Sequence, residues 1–514
     1  MQIDPPIAPL ESPREPAAVA ALGEEECRPA LRRDLGLGIA MAVVVGNVIG
    51  SGIFYKPGKI AADAGSFPLI LTLWVVGGGL CFLGGLCFAE LAAMYPRAGG
   101  MYVYLREAYG KFVAFLFGWI EVVFSKPAAI GALSVVLVSS LALHLRPWLG
   151  PAGSTLVGPW GQVMMAVLVI GALAWVNILG VVWGGRLQLA VTLVKAGFLA
   201  LVAALPFLLS IWQPNAVQWT NYGTSLDMPG ELSGASRISA VLLAILWAYN
   251  GWHGVTPLAE EIRQPQRNLP LALVVGIGLL IGLYISANVA YHGVLSMEQM
   301  KVAGDHAAEV MLTKLLGPLG GAAMSAVIMC SAFGTINSNL LQAPRVGLAM
   351  GRDRVFFHRL GQVHPRYRTP AAAIGLLAGM ASFLVILAAA GKSAVLDLTV
   401  DPTRWPLMAR IVTSLQQDSI FTLLTNFVIF SASIFYALTV LAVFILRWRR
   451  PAANRPYRTW GYPLTPLIFL AAYTWFLWQV YLHQPLESRM GLMLIVAGIP
   501  CYWLFQHFSS PRSP

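Results

Sequence analysis

Apolar runs of about 20 residues, the length an α-helix needs to cross a bilayer, recur along the whole chain between short polar stretches. The ten-residue alternation of apolar and polar positions that marks a membrane barrel strand does not occur. The pattern predicts an all-α polytopic membrane protein with twelve transmembrane helices. Its spans fall at about 36–62, 67–94, 112–145, 160–180, 187–211, 238–259, 270–294, 317–347, 370–391, 421–446, 463–482 and 490–507. The opening residues hold several prolines and the run Glu24, Glu25 and Glu26, with no apolar signal core. Residues 1–30 are therefore expected to be a disordered cytoplasmic tail, and residues 31–510 one transmembrane domain.

Composition agrees with the pattern. Of 514 residues 57% are hydrophobic and only 11% charged, with mean hydropathy +0.69, against roughly 25% charged in a soluble domain. Most side chains must face lipid or other helices. The net charge of +11 would suit nucleic acid, but the basic residues sit mainly in short loops between apolar runs. With the N-terminus cytoplasmic, 22 of the 34 Lys and Arg fall on the inner side and 10 on the outer, with Lys126 and Lys195 inside the membrane. That bias predicts both termini in the cytoplasm. Cys27, Cys81, Cys87, Cys330 and Cys501 show no metal-type pairing and read as small packing residues.

Two spans carry helix-breaking sequences in corresponding places. The first contains Gly46-Asn47-Val48-Ile49-Gly50-Ser51-Gly52-Ile53-Phe54, and the flexible Gly-Ser-Gly predicts an interruption near mid-membrane. The sixth contains Trp247-Ala248-Tyr249-Asn250-Gly251-Trp252-His253-Gly254. Five spans separate the two breaks, so the broken helices run in opposite directions, as inverted five-helix repeats require. Close packing of small residues is the plain alternative for either break alone. A matched pair points instead to a transport site.

From these residues the chain resembles the amino acid–polyamine–organocation superfamily, and within it the L-type amino acid transporters and their bacterial exchanger relatives. The resemblance runs over about residues 34–482 and rests on five stretches in order. They are Gly46 to Phe54; Ala89-Glu90-Leu91 followed by Pro96-Arg97-Ala98-Gly99-Gly100 and Tyr102; the sixth-span run leading to Glu260-Glu261 and Asn268-Leu269-Pro270; Phe333-Gly334-Thr335-Ile336-Asn337 leading to Pro344-Arg345; and Arg455-Pro456-Tyr457-Arg458. The resemblance implies that the backbone amides of Gly50, Ser51 and Gly52, beside Ile49, meet a substrate carboxylate. It also implies that carbonyls of Val48, Trp247, Ala248 and Asn250 meet its amino group. A helix N-terminus favours an anion and a helix C-terminus a cation, so the physics agrees. By the same resemblance Ala129 and Leu133 line the side-chain pocket and Trp247 is the gate, where relatives carry Phe or another aromatic. Asn250 stands where relatives often have Gly or Asp.

Charged groups inside the membrane are functional candidates by default. Lys195 lies about nine residues, roughly 13 Å, beyond Arg186 along the fifth span. In relatives a lysine at this place takes the position of a sodium ion, which implies that it bridges the first span to Ser331 or Thr335 of the eighth. Snorkelling to the inner surface is the alternative. Lys126 precedes Pro127, and Glu121, five residues earlier, is not expected to share its α-helical face. Glu90, Glu260 and Glu261 read as partners of inner-side arginines, and His253 as either a pH-sensitive or a packing group.

Sequence alone ranks an amino acid carrier first and a cationic amino acid or polyamine carrier second. A membrane enzyme would need convergent nucleophile, base or metal ligands, and a channel a pore loop or a ring of like charge; neither pattern is visible. No cofactor or metal is implied. The loop from His144 to Trp160 has no cysteine, whereas animal relatives use one there to tether a heavy chain, so no disulfide-linked heavy chain is expected.

Overall fold

A computed structural model describes residues 30–149, 158–226, 234–395, 404–405, 420–483 and 485–509. All but the last residue of the tail expected over residues 1–30, and residues 150–157 of the His144–Trp160 loop, lie outside the described residues. Among the described residues twelve helices are long and apolar enough to cross a membrane: Leu37–Ala64, Phe67–Met94, Lys111–Leu145, Pro159–Leu179, Val181–Leu209, Gly234–Glu261, Pro265–Val294, Pro318–Arg352, Ala371–Gly391, Phe430–Arg449, Leu464–His483 and Ser488–His507. Among the described residues the only β-type pairings are two isolated bridges, Leu35 with Ile262 and Ser66 with Ser225. The fifth span begins at Val181, six residues before the apolar pattern suggests. Arg186 and Gln188 interrupt the hydropathy there without interrupting the helix.

Both expected breaks are present. The first span is helical over Leu37–Val48 and again over Gly52–Ala64. The sixth is α-helical over Gly234–Ala248, turns at Gly251 with φ +106°, and continues as a 3₁₀ segment over Trp252–Glu261. Ten residues of 3₁₀ helix is long for this tighter form, which marks hinges more often than plain spans. Pro257, with no N–H to donate, stands inside it. The Pro96-to-Gly100 motif braces this segment. Gly99 N–H donates to Pro257 O at 3.2 Å and Ala98 N–H to Glu260 Oε2 at 3.2 Å. A Cβ on Gly100 would lie 2.7 Å from Pro257 N, so only glycine allows this approach. At the other end of the pair, Leu35 N–H donates to Glu261 O at 3.0 Å and Arg263 N–H to Leu35 O at 2.8 Å. The entrance of the first span is thereby joined to the exit of the sixth.

The third span corrects one expectation. Between Lys111–Trp119 and Lys126–Leu149 the chain winds as a π-helix over Ile120–Ser125. Its hydrogen bonds run over five residues instead of four, which brings positions i and i+5 onto one face. Glu121 and Lys126 accordingly pair at 3.3 Å, each with a side chain only 11% exposed. The α-helical spacing rule fails here because the helix is not α.

Candidate functional site at the two helix breaks

At the first break the chain leaves helical geometry at Ile49 and resumes it at Gly52. Gly50 N–H donates backwards to Val48 O at 2.6 Å, so one of the three amides expected at a carboxylate already has a partner. The N–H groups that open the second half-helix have no intrahelical acceptor by construction. Gly50 and Gly52 have different surroundings. A Cβ on Gly50 would meet nothing nearer than Val48 O at 3.8 Å. One on Gly52 would lie 2.8 Å from Ala248 Cα and 3.1 Å from the Trp247 ring. Gly52 is thus the point where the first span closes on the sixth.

The second break is pinned by side chains that the motifs did not single out. Asn47 Nδ2 donates to Gly251 O at 2.8 Å, and Gln342 Nε2 donates to Asn47 Oδ1 at 2.9 Å. A Cβ on Gly251 would collide with the Asn47 amide, and its positive φ favours glycine independently. Tyr436 of the tenth span donates its hydroxyl proton to Asn250 Oδ1 at 2.8 Å and lies 3.2 Å from His253 Nδ1. His253 is buried and packs its ring on Trp252 and Tyr436, which is the packing alternative for that residue.

Tyr284, in the seventh span, joins the two breaks directly. Its hydroxyl lies 2.9 Å from Val48 O and 3.3 Å from Ala248 O, both as acceptors. One buried phenol therefore faces two of the four expected carbonyls and shares its single proton between them, the shorter bond being to Val48 O. A third, Trp247 O, accepts from Asn250 N–H at 3.1 Å. A carbonyl oxygen has a second lone pair, so each keeps an acceptor position. In the sequence Tyr284 looks like one more aromatic in an apolar run. The available signal was general: a buried tyrosine hydroxyl needs a partner, and broken helices supply spare carbonyls.

Lys195 is fully buried. Its ammonium donates to Gly46 O at 2.5 Å and Ile49 O at 2.7 Å, with Thr335 Oγ1 at 3.4 Å. Ser331 Oγ donates to the same Ile49 O at 3.0 Å, and Thr335 Oγ1 to Ser331 O at 2.9 Å. These carbonyls end the first half-helix, where the backbone carries partial negative charge. The ammonium therefore ties three spans at the break, which is not a snorkelling arrangement. A Cβ on Gly46 would collide with Thr192 and lie 2.5 Å from Gln188 Nε2. The glycine is what lets the fifth span come close enough for Lys195 to reach.

Ala129 is half-buried on the third span. Leu133 borders an apolar cluster that includes Ile130, Ile170, Ile336 and Ile374, between the third, fourth, eighth and ninth spans. Trp247 is half-buried, with Lys56 Nζ over its ring at 4.8 Å. On the side where the first span begins and the sixth ends lies a layer of ion pairs. Arg345 and Glu261 are both fully buried and doubly bonded at 2.7 and 2.9 Å. Arg352 pairs with Glu260 at 2.8 Å, and Arg447 with Glu90 at 2.6 Å. Arg106 contacts Asp353 at 2.8 Å and Glu107 at 3.0 Å, and Arg450 contacts Glu107 at 2.9 Å.

The amino acid permease family matches residues 35–500 of this chain. The serine/threonine exchanger SteT of Bacillus subtilis is 31% identical over 476 residues, covering 92% of this chain and 97% of its own length. Mouse Asc-type amino acid transporter 1 is 30% identical over 480 residues, covering 93% and 82%. Human large neutral amino acids transporter small subunit 2 is 30% identical over 480 residues, covering 92% and 81%. With a match that takes in eleven spans and most of the twelfth, the chain belongs to the amino acid permease family.

Proposed function

We propose that this permease is a secondary transporter that carries neutral L-amino acids by alternating access, as a sodium-independent exchanger or with proton coupling. The observation that carries the reading is the juxtaposition of the two breaks around a buried lysine. The opening of one half-helix offers N–H groups to a carboxylate, and the ends of two others offer carbonyls to an ammonium. A site of this kind reads the zwitterion common to amino acids and leaves the side chain to its own pocket. Gly50, Ser51 and Gly52 take the carboxylate in this reading, Val48, Trp247, Ala248 and Asn250 the amino group, and Ala129 and Leu133 the side chain. The names of the relatives, which include exchange of serine and threonine and transport of large neutral amino acids, support a neutral substrate.

Lys195 supplies the positive charge that a sodium ion would otherwise bring to the Gly46, Ile49, Ser331 and Thr335 oxygens. Two cations a few ångströms apart repel strongly in a low-dielectric site, so lysine and sodium are alternatives. The remainder of the proposal follows the architecture: two inverted five-helix repeats, a plasma-membrane location with both termini cytoplasmic, and transport by the single chain without a disulfide-linked heavy chain.

Counterflow in proteoliposomes of the purified chain tests this. Labelled neutral amino acids should accumulate against an internal unlabelled pool, equally well in sodium and in choline. Lys195→Ala should lower turnover more than it weakens binding. A steep sodium dependence, or no counterflow with any amino acid, would overturn the reading.

A further inference from the structure

Lys56 has no place in the site described above, yet it sits at the ring expected to roof it. It lies four residues after Gly52 on the second half-helix of the first span, and positions i and i+4 share a face. Gly52 is where the missing Cβ admits Ala248 and the Trp247 ring. One turn further on, the Lys56 ammonium stands over that same ring, 4.8 Å from its centroid, well inside cation–π range. Both side chains are half-buried. Among the described residues no carboxylate lies within ion-pair distance of Lys56.

The register of Lys56 is fixed from outside. A Cβ on Gly58 would lie 2.6 Å from Met300 O, so the half-helix is pressed against the Met297–Ala303 helix and cannot rotate freely. The other charged groups on this side include Lys59, which is exposed, Asp63 on the same helix, Glu298 and Lys301 on Met297–Ala303, Asp305 in the following turn and Glu309 on Ala307–Leu316. None of them forms an ion pair with Lys56.

We infer that Lys56 determines specificity: it latches the Trp247 ring and keeps cationic side chains out of a site that admits neutral ones. The inference deepens the proposed function and rests on it. The opening end of the half-helix already carries about half a positive charge, and a full charge one turn beyond adds to it. A substrate carboxylate gains from both, while a second ammonium or a guanidinium extending past the ring meets a cation with no carboxylate in ion-pair contact among the described residues. Two unit charges roughly 7 Å apart shift a binding constant by about threefold in water-like surroundings and about fiftyfold at an effective dielectric of about 20.

The test is competition in proteoliposomes between a labelled neutral amino acid and unlabelled L-arginine or L-lysine, at constant ionic strength. Wild type should resist both competitors. Lys56→Gln and Lys56→Met should let arginine compete about tenfold better relative to the neutral KM, and Lys56→Arg, which keeps the charge and still stacks on an indole, should keep the wild-type ratio. Monodisperse uncharged variants with an unchanged ratio would overturn the inference. The wild-type arm needs no variant: equal handling of neutral and cationic substrates overturns the Lys56 assignment alone, and transport of arginine without any neutral amino acid overturns the proposed function as well.

Discussion

A Cβ at Gly50 would meet nothing nearer than Val48 O at 3.8 Å, while one at Gly52 would strike the backbone of the sixth span. Leucine substitutions at the two positions should therefore separate binding from folding. Gly50→Leu is expected to stay monodisperse, with a thermal midpoint close to wild type, and to lose at least tenfold in amino acid affinity. Gly52→Leu is expected to lose stability by about 1–3 kcal/mol through overpacking. Affinity measured on folded Gly50→Leu checks the carboxylate assignment, and unaltered binding would reject it. The sequence marked both glycines because a flexible stretch inside an apolar run has few other reasons to exist. It could not tell them apart, because the difference lies in what Ala248 does across the interface. Asn47, Gln342, Tyr284 and Tyr436 escaped for the same reason: each acts through a partner at least 36 residues away in the chain.

Among the elements, the third and sixth spans depart most from a plain helix. In the third, the π-helical turn exists together with the Glu121–Lys126 pair. Removing one member of a buried pair costs about 3–5 kcal/mol, because a charge is left without its counterion. Lys126→Met should lower thermal stability by an amount of that order, and the double variant Glu121→Gln with Lys126→Met should recover most of it. Stability curves in detergent of Lys126→Met, of Glu121→Gln alone and of the double variant check this, and additive losses would show that the two side chains do not act as a pair. Twelve spans were legible from hydropathy because a bilayer demands about 20 apolar residues at a time. The single extra residue in a π-turn leaves that demand untouched and so leaves no trace in the pattern. The 3₁₀ winding after Gly251 was half visible: the glycine announced a break, while the form of the continuation depends on Pro257 and on Gly99 and Gly100 lying against it.

Across the whole molecule, the ion-pair layer ties the second, sixth, eighth and tenth spans and the short helix Met101–Tyr109 at one face of the bundle. Glu107, on the short helix Met101–Tyr109 outside the spans, reports on it. Burial raises its pKa, but hydrogen bonds from Arg106 and Arg450 outweigh that and hold it below the ordinary 4.5. A carboxylate lowered in the folded state stabilises at pH above its unfolded value and loses that contribution as pH falls through the lowered one. Thermal stability should therefore fall on acidification below about pH 4.5, and Glu107→Gln should flatten part of that limb. An identical acid limb in the variant would assign the loss to other carboxylates. The seam between Leu35 and residues 261–263 has a different character, for its two closing bonds are main chain, with the Arg263 side chain adding only a bond from Nε to Arg33 O at 3.3 Å. Arg263 is itself exposed, its side chain 65% accessible and 4.0 Å from Asp34. A saturation scan at position 263 should accordingly find nineteen residues nearly equivalent and proline alone damaging, because only proline withdraws the N–H that Leu35 O receives. A staple of this sort between two spans is invisible to residue-by-residue comparison, since every side chain but one writes it equally well.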